Sequence, residues 1–281
     1  MTRILITSVR GKTGAPLADL LVERDDVEVL GGSTDPSSVE RPRVRPTAFS
    51  WDDPSGWRSA TDGVDALYLV RPDRQDAPEL VARFLEVTAP STHVVLLSEQ
   101  DADSFRPTDW SPQVEQAVRA SGRTWTILRP SWFMQVLTDE RFLRDDIAAG
   151  LLPFPDAGAR LAWIDTRDIA AVAEQALLDN SLKGTIHELS GPDALTLPET
   201  AGLLSEALGQ PVEHTEPSIE EAVAGTEGFE RWEFVTTYER VQGGVFATVT
   251  DGVEHVTGRP ARSLQAFLGE HGADILRSPT D

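Results

Sequence analysis

The stretch "ITSVRGKTG", residues 6–14, links an apolar, strand-like run to a helical pattern near the start of the chain. Gly11 and Gly14 precede that helix, a context in which backbone N–H groups and a helix N-terminus receive a pyrophosphate. Gly11 would let the backbone approach the ligand, and Gly14 would let the helix pack close to the strand. Ser8 stands where the first glycine of such a turn is expected. Its hydroxyl group either donates to a phosphate or crowds the site.

A P-loop and a purely structural glycine turn are the two alternatives to dinucleotide binding for this stretch. Residues 11–13, "GKT", match the end of a P-loop, but that motif needs a glycine five residues before Gly11, where Ile6 stands. The P-loop is therefore excluded. A glycine turn with a purely structural role stays open, because two glycines near a strand end are common.

The end of the second strand-like run is where the adenosine ribose of a dinucleotide is read. That end reads "GGSTDPSS", residues 31–38, and contains no arginine. The candidate residues at this strand end are Ser33 and Thr34. Asp35 either binds the ribose or starts the turn that follows. Arg10 and Lys12 are the nearby cations for a 2′-phosphate, and the choice between NAD and NADP stays open.

Short apolar runs alternate with helical patterns along the first 130 residues, which predicts a parallel sheet with crossover helices. The predicted strands are "RILITS", "VEVLGG", "RPTAFS", "ALYLV", "HVVLLS" and "WTILRP". The predicted helices between them are "GAPLADLLVERD", "APELVARFLEVTA" and "SPQVEQAVRASGR". Beyond Pro130 the predicted elements are the helix "DTRDIAAVAEQALLD", the strand "GTIHELSG", the Thr-capped helix "TLPETAGLLSEALG" and the helix "RSLQAFLGEH". We therefore expect an α/β fold whose organisation changes near residue 130.

Composition narrows the possible functions. A net charge of −21 repels nucleic-acid phosphates and anionic lipids, so neither nucleic acid nor a membrane is an expected partner. The absence of cysteine excludes disulfides, thiolate metal sites and a cysteine nucleophile, and five scattered histidines do not support a metal site. No apolar run approaches the roughly 20 residues that span a bilayer. The N-terminal "MTRILITS" is strand-like rather than a signal peptide, so we expect a cytoplasmic protein.

Seven stretches follow one another in a defined order between Ile4 and Phe267. They are "ILITSVRGKTG", "FSWDDPSGW", "DALYLVRP", "VEQAVRASGRTWTILRPSWFMQ", "WIDTRDIAAVAEQAL", "HELSGPDALTLPE" and "VTDGVEHVTGRPARSLQAF". Together they resemble the NmrA-like family of atypical short-chain dehydrogenases, and within it the bacterial relatives of agroclavine dehydrogenase. The resemblance implies a Rossmann-type doubly wound parallel sheet that binds NAD or NADP, mainly residues 1–130. It also implies a smaller C-terminal substrate lobe, mainly residues 131–281, with some segments returning to the sheet.

The resemblance further implies which residues bind the cofactor. The phosphate turn would comprise Thr7, Ser8, Arg10, Gly11, Lys12, Thr13 and Gly14. The residues along adenine, ribose and nicotinamide would be Trp51, Asp52, Val70, Arg71, Pro72, Leu97 and Ser98. The nicotinamide and substrate side would be shaped by Pro130, Ser131, Trp132 and Phe133. The implied partner is a small-molecule substrate, and the implied assembly is a monomer or homodimer.

The chain departs from the family's pattern at the cofactor site. Ser8 replaces the first glycine, Val9 and Arg10 replace smaller residues, and the strand-two arginine of NADP-using relatives is absent. Val136 stands where relatives have asparagine. These changes remove contacts to the cofactor, whereas Arg10 in the turn offers a new bidentate contact to a phosphate. The two effects oppose each other, so the sequence leaves open whether cofactor affinity is lower or higher than in relatives.

Several candidate residues have packing alternatives. "SWDDP" also fits a capped helix start, because proline is favoured at the first helical position. Trp132 and Phe133 either shape the pocket or belong to a hydrophobic core. The aromatic residues that either line a substrate cavity or pack the second lobe are Trp163, Trp232, Phe234 and Tyr238. Arg129 and Asp165 are predicted to form a structural ion pair.

The catalytic acid is not evident from the sequence. Many short-chain dehydrogenases use a Tyr and a Lys four residues apart for proton transfer, and neither Tyr68 nor Tyr238 has such a lysine. The corresponding region, "DWSPQVEQAV", offers Trp110 and Gln113. Hydride transfer to an iminium, an activated alkene or a quinone-like compound depends mainly on positioning, so we expect an NAD(P)-dependent reductase of such molecules in secondary metabolism. The alternatives are a redox-neutral cyclase or isomerase and a nucleotide-sensing regulatory protein.

Overall fold

Strands and helices alternate in the computed structural model, which describes residues 1–104 and 109–276 of the chain. The strands are β1 (Thr2–Ile6), β2 (Val27–Ser33), β3 (Val44–Ala48), β4 (Ala66–Val70), β5 (His93–Leu97), β6 (Trp125–Pro130), β7 (Leu151–Pro153), β8 (Arg160–Leu161), β9 (Ile186–Leu189), β10 (Leu195–Thr196) and β11 (Glu213–Thr215). The helices are α1 (Gly14–Val22), α2 (Trp57–Ala60), α3 (Ala77–Val87), α4 (Trp110–Ala120), α5 (Arg144–Ala148), α6 (Thr166–Leu178), α7 (Leu197–Leu208), α8 (Ile219–Ala222), α9 (Gly228–Gln242), α10 (Gly252–Thr257) and α11 (Leu264–Ile275). Each stretch predicted as a strand or a helix forms that element.

Seven strands form one sheet in the order β3-β2-β1-β4-β5-β6-β9. The pairings from β3 through to β6 are parallel. The hydrogen bonds from Ile127 N–H to Thr185 O and from Ser131 N–H to Leu189 O advance together along both strands, so β9 is also parallel. The sheet core is apolar because parallel strands are covered on both faces, and every residue of β5 is buried. The predicted doubly wound α/β class is confirmed.

The strand order reverses at β1. From β1 the chain passes through α1 to β2 and then β3 on one side, and it resumes at β4 on the other side. The loops that follow β1 and β4 therefore leave the sheet in opposite directions and open a crevice at the carboxyl ends of these two strands. Ligands of open α/β sheets bind at such a switch point.

The described chain divides into two compact units. One comprises Met1–Pro130 and Thr166–Glu188 and contains the sheet. The other comprises Ser131–Asp165 and the residues from Leu189 onward. In this second unit β7 pairs with β11 in parallel and β8 pairs with β10 antiparallel. Assignment of the second unit to substrate binding stays a prediction.

The helix signals in the second unit formed as predicted. Thr196 caps α7 by accepting from the N–H of Glu199, and the Glu199 carboxylate accepts from the N–H of Thr196 in return. Such a reciprocal capping box satisfies two backbone donors that the helix itself cannot bond. Pro198 lies in the first turn, where its missing N–H is not needed.

Within residues 1–104 and 109–276, no helix is both long enough and apolar enough to cross a membrane. The same residues contain no group of three or more His, Asp or Glu side chains placed to hold a metal ion.

His93 at the start of β5 is buried as a neutral imidazole. Its Nε2 lies 3.1 Å from the carbonyl oxygen of Ala176, which only accepts, so Nε2 carries the proton. Its Nδ1 lies 3.0 Å from the Thr124 hydroxyl oxygen. Burial is the main cause that lowers the pKa of His93 to about 4, and the positive charge of Lys183 adds to it.

This buried histidine predicts a loss of stability in mild acid. Above pH 6.5, the pKa of this histidine in the unfolded chain, His93 is neutral in both states and does not lower the free energy of unfolding. The free energy of unfolding falls as the pH drops from 6.5 toward 4, because the unfolded chain binds a proton at this histidine before the folded chain does. The shift corresponds to about 3 kcal/mol at pH 4. We expect His93→Gln to flatten the pH dependence of the urea unfolding midpoint over this range. His255→Gln, at an exposed histidine, is the matched control and should leave the slope unchanged. Equal slopes in all three proteins would contradict the assignment.

Candidate functional site

Thr7 joins the two strands at the switch point. Its N–H donates to the carbonyl oxygen of Tyr68 at 3.1 Å, which extends the β1–β4 ladder by one bond. Beyond this point the strands separate, and the N–H of Val70 donates instead to the Thr7 hydroxyl oxygen at 2.9 Å. The Thr7 side chain thus satisfies a donor that would otherwise be left at the mouth of the crevice. It also fixes where the turn after β1 begins.

The turn after β1 is built on close approaches to Ser8. The N–H of Gly11 donates to the Ser8 carbonyl oxygen at 3.0 Å. A Cβ atom on Gly14 would lie 2.0 Å from that oxygen, and one on Gly11 would lie 2.8 Å from the Ser8 hydroxyl oxygen. A side chain on Gly14 therefore requires the turn to move, whereas one on Gly11 first requires the Ser8 hydroxyl to rotate away.

Ser8 makes this turn without backbone strain. It does not belong to the non-glycine residues with positive φ, so the missing first glycine is not required for its conformation. Its side chain is half-buried, and among residues 1–104 and 109–276 its hydroxyl group has no hydrogen-bond partner. The hydroxyl is thus available to a ligand, and its donation to a phosphate stays a prediction.

The turn and the helix that follows fit a pyrophosphate. Thr13, the residue before α1, makes no side-chain hydrogen bond to the first turn of the helix, where the Ala15 N–H donates to the Gly11 carbonyl oxygen at 3.0 Å. Arg10 is exposed and Lys12 is half-buried in the same turn. Small residues at the close approaches, a helix N-terminus without a side-chain cap and two cations are features that receive linked phosphates.

Asp35 has the turn role through one carboxylate oxygen, Oδ1. Its carboxylate accepts from the Ser37 N–H at 3.0 Å and from the Ser37 hydroxyl at 2.5 Å. The hydrogen bond from the Ser37 hydroxyl is the main cause that lowers the pKa of Asp35. Ser33 is buried and donates to the Asp35 carbonyl oxygen at 2.9 Å, whereas Thr34 is exposed.

The residues of the stretch "SWDD" make different contacts: Trp51 packs, Asp52 forms an ion pair and Asp53 caps a turn. Trp51 is half-buried in an edge-to-face cluster with Phe49, Trp57 and Phe84. Asp52 is exposed and pairs with Arg74 at 2.5 Å. Asp53 accepts from the Ser55 N–H at 3.0 Å and caps the short turn that follows. The cap that the sequence allowed for this stretch therefore belongs to Asp53, and Trp51 and Asp52 remain predicted adenine contacts.

Arg71, just after β4, meets one of the predicted pocket residues. Its guanidinium lies over the Trp110 ring at 4.1 Å, and its Nη2 pairs with the Glu99 carboxylate at 3.1 Å. The arginine is therefore held in place by a stacked ring and a carboxylate, with Pro72 half-exposed beside it. Gln113 is half-buried one turn further along α4. Glu99 was missed by sequence reasoning, although it directly follows Ser98 at the end of β5.

Ser98 donates its proton to a buried carboxylate. Its Oγ lies 2.7 Å from Glu115 Oε1, and Glu115 is 2% exposed. Arg129 binds both oxygens of Glu115 at 2.8 Å, and Arg119 donates to Oε2 at 2.6 Å. Burial alone would raise the pKa of Glu115, but these hydrogen bonds outweigh it and the pKa lies below its ordinary value. Glu115 therefore stays ionised and fixes the direction of the Ser98 hydroxyl.

The predicted ion pair between Arg129 and Asp165 was wrong. Its guanidinium pairs with Glu115, with Asp103 at 2.8 Å and with Glu188 at 3.1 Å. Asp165 instead accepts from the Gln135 amide at 2.9 Å. Three carboxylates surround Arg129 because β6 directs this buried cation toward α4, and sequence spacing alone does not show which acids converge there.

The tyrosine of the sheet unit is not available as a proton donor. Tyr68 in β4 has no exposed surface, and its hydroxyl makes no hydrogen bond of normal geometry in the described chain. Burial raises the pKa of this phenol, and the nearby Thr13 hydroxyl opposes that effect only in part.

The remaining predicted cofactor residues lie at strand ends. Leu97 is buried at the end of β5. The Pro130 carbonyl oxygen, at the end of β6, accepts from the Gln100 N–H at 2.9 Å. Ser131 is buried in the second unit and donates its N–H to Leu189 at 2.8 Å. These contacts organise the backbone, and their role toward a cofactor stays a prediction.

The predicted aromatic residues of the second unit are buried, half-buried or exposed. Trp163 is 1% exposed and donates to the Thr200 hydroxyl at 3.1 Å, which favours the packing alternative for this residue. Half-buried Trp132 packs edge-to-face against Phe154, Trp163 and Phe246. Half-buried Tyr238 contacts Phe154 and Phe234. Trp232 is 39% exposed on α9 beside Phe229, and Phe133 is half-buried where it bridges to Ile164.

Two family models match the chain. The model described as the NmrA-like family matches residues 109–252. The model described as NAD(P)H-binding matches residues 9–180, which include the glycine turn and most of the sheet.

Characterised relatives match over nearly the whole chain. The (4-alkanoyl-5-oxo-2,5-dihydrofuran-3-yl)methyl phosphate reductase of Streptomyces griseus subsp. griseus is 32% identical, over 95% of this chain and 97% of that protein. The NAD(P)H azoreductase of Xenophilus azovorans is 30% identical, over 96% of this chain and 98% of that protein. Agroclavine dehydrogenase of Claviceps fusiformis, the kind of enzyme that the quoted stretches resemble, is 28% identical over 95% of this chain and 96% of its own.

The fold is shared with solved reductases. The crystal structure of the NADPH-dependent quinone oxidoreductase of Escherichia coli, complexed with NADPH, matches with a TM-score of 0.81 over 95% of this chain and 99% of that one. Sequence identity in this pair is 18%, so the likeness concerns the fold alone.

Proposed function

This chain belongs to the NmrA-like family, and on that premise we propose that it reduces small molecules already activated toward hydride, namely iminium ions, activated alkenes or quinone-like compounds. The protein is an NAD(P)-dependent oxidoreductase. Two relatives are named as reductases, of a dihydrofuranyl methyl phosphate and of azo compounds, and a third is named agroclavine dehydrogenase. The third name supports a place in secondary metabolism.

The observation that carries this proposal is the state of two hydroxyl groups of the sheet unit. Tyr68 is buried with a raised pKa and cannot deliver a proton to a ligand. Ser98, at the end of β5, has its proton bonded to the ionised Glu115, so toward a ligand this hydroxyl only accepts. A carbonyl that must be protonated as it is reduced receives no help from either group.

The residues of this chain bind the cofactor and orient the ligand. Residues of the glycine turn and the N-terminal end of α1 would hold the pyrophosphate, and Thr7 keeps that turn registered against β4. The chemistry that bound NAD(P)H supplies is hydride donation. Ser98 accepts a hydrogen bond from a donor on the ligand, and the Glu115–Arg129 pair holds it in that direction.

The proposed substrate class rests on these two hydroxyl groups, neither of which donates a proton to a ligand. An iminium ion becomes a neutral amine when it receives hydride, so it needs no proton from the protein. Quinones and alkenes conjugated to an electron-withdrawing group spread the added charge over several atoms and take their proton from water. A simple ketone concentrates that charge on one oxygen and requires a positioned acid.

A substrate panel tests this proposal. We expect oxidation of NADPH or NADH, followed by nicotinamide absorbance, with a cyclic iminium ion, a conjugated enone and a quinone, and no turnover with a saturated ketone of similar size. Ser98→Ala should keep turnover with the iminium ion within about 10-fold of wild type, because no proton passes through that hydroxyl. Efficient reduction of saturated ketones, with a large loss of it in Ser98→Ala, would refute the proposal.

A further inference from the structure

The hydroxyl group of Tyr238 on α9 has no hydrogen-bond partner among residues 1–104 and 109–276. The hydroxyl oxygen of Tyr68, the other tyrosine of the chain, is buried, whereas that of Tyr238 is accessible to solvent although most of its side chain is covered. The hydroxyl of a largely covered tyrosine usually finds a partner. Tyr238 therefore presents an unused hydrogen-bond donor at the edge of an apolar surface.

Four aromatic side chains of the second unit, Trp132, Phe154, Phe234 and Tyr238, form a continuous aromatic wall beside this hydroxyl. The Phe154 ring meets Tyr238 edge-to-face with ring centroids 5.4 Å apart, and Phe234 stacks on Tyr238 at 6.5 Å. Trp132 extends the wall by packing edge-to-face against Phe154 at 5.0 Å. Trp132, Phe234 and Tyr238 are only half-buried, so the wall keeps accessible surface. An aromatic surface with few polar groups is the usual composition of a small-molecule site.

Contacts at the end of α9 hold Tyr238 in place. Val241, in the next turn of the helix, is fully buried. The Gln242 amide donates to the Pro155 carbonyl oxygen at 3.1 Å, which ties α9 to the segment that carries Phe154. The phenol hydroxyl is therefore positioned before a ligand binds, and a preorganised donor loses little conformational entropy on binding.

We propose that the aromatic wall binds a planar, conjugated carbonyl compound, an enone or a quinone, and that Tyr238 donates a hydrogen bond to its carbonyl oxygen. This inference rests on the proposed function, because it selects the members of the proposed substrate class that carry an acceptor oxygen and names the residue that recognises it. Planar conjugated rings pack well against the faces and edges of aromatic side chains.

The proposed hydrogen bond strengthens as the substrate is reduced. An enone that accepts hydride from NAD(P)H forms a C–H bond at its β-carbon, and its π electrons shift onto the carbonyl oxygen to give an enolate. NAD(P)⁺ is the oxidised product, and water supplies the proton to the α-carbon. A phenol donor binds the enolate oxygen more tightly than the neutral carbonyl, so the interaction favours the transition state. Burial raises the pKa of Tyr238, which makes its phenol a poorer general acid than the tyrosine of a tyrosine–lysine pair.

Steady-state kinetics of Tyr238→Phe test this inference with three probes, namely 2-cyclohexenone, 1,4-naphthoquinone and the 2-methyl-3,4-dihydroisoquinolinium ion. We expect kcat/KM to fall about 10-fold to 100-fold for the enone and the quinone, because a hydrogen bond to a developing charge is lost. The iminium ion has no acceptor oxygen, so its kcat/KM should stay within about twofold. Tyr68→Phe removes a buried hydroxyl from the other tyrosine and is the matched control, with no change for any probe. The Tm of Tyr238→Phe should not fall, because the hydroxyl bonds nothing in the described chain.

A binding measurement without cofactor gives a second test that needs no turnover. The Kd for 1,4-naphthoquinone, followed by quenching of tryptophan fluorescence, should rise about 3-fold to 10-fold in Tyr238→Phe, because the bond to the neutral carbonyl is weaker than the bond to the enolate.

The two measurements separate this inference from the proposed function. An equal loss of kcat/KM for all three probes in Tyr238→Phe, or no loss for any, would overturn the role of Tyr238 and leave the reductase assignment intact. If wild type turns over none of the probes, the proposed function is refuted. An unchanged Kd for the quinone in Tyr238→Phe would then overturn this inference as well.

Discussion

Gly14→Ala is expected to abolish measurable nicotinamide cofactor binding and to lower the free energy of unfolding by about 3 kcal/mol or more. The added Cβ would lie 2.0 Å from the Ser8 carbonyl oxygen and 2.9 Å from its carbonyl carbon. Both are backbone atoms, so no side-chain rotation relieves the clash and the turn must move away from α1. A displacement of binding groups by about 1 Å costs on the order of 100-fold at a site that depends on their geometry. We expect the affinity for NADPH to fall by at least that factor when the turn moves.

The matched control for this change is Gly202→Ala in α7. No atom lies within 4 Å of a Cβ built there, and its backbone is helical. Alanine is favoured over glycine in a helix, so this variant should gain up to about 1 kcal/mol and bind cofactor normally. Chemical denaturation and nucleotide titration of both variants give the comparison. If Gly14→Ala binds NADPH with wild-type affinity, the turn is not the phosphate site.

Arg129→Met is expected to destabilise the protein by about 3–5 kcal/mol at neutral pH, because it leaves the buried Glu115 carboxylate without its main partner. Arg129 is 3% exposed and bonds both oxygens of that carboxylate. In wild type the lowered pKa of Glu115 contributes stability that is present above the unfolded pKa of 4.5 and lost as the pH falls. In the variant the pKa of Glu115 should lie above its ordinary value, so the difference between the two proteins should shrink as the pH is lowered toward 4.5.

Arg119→Met is the control for this second change. Arg119 bonds the same carboxylate through one nitrogen, but its side chain is 40% exposed. Loss of such a pair costs about 1 kcal/mol or less. Urea unfolding at pH 7 and pH 5 separates the two arginines, and similar small losses in both variants would mean that Glu115 does not depend on Arg129.

The order of elements followed from the chain's local patterns. The run "VVLL" in β5 is apolar because the strand is covered on both faces. Helix α7 begins directly after Thr196 because the Thr196 hydroxyl and the Glu199 carboxylate satisfy backbone N–H groups at the helix end. Both signals involve neighbours in sequence, so they can be recognised without the fold. The two glycines of the opening turn belong to the same group, because the atoms that they approach lie only a few residues away in Ser8.

The partners of charged residues did not follow from such patterns. Arg129 was expected to pair with Asp165, yet it lies among Glu115, Asp103 and Glu188, which are 14, 26 and 59 residues away along the chain. Glu99 was missed because a carboxylate after a strand is ordinary, and only the position of Arg71 over Trp110 gives it a role. Ion pairs depend on distances between elements, which a sequence does not contain.

The sequence by itself determined the parallel sheet, the position of the glycine turn and the lack of a tyrosine–lysine pair, because each rests on residue type and short spacing. Only the tertiary structure decided that Arg129 lies among three carboxylates and that Ser98, bonded to Glu115, presents only lone pairs to a ligand. These properties depend on which hydrogen-bond partners the packed chain brings within about 3 Å, and burial by distant elements sets how strongly each partner acts.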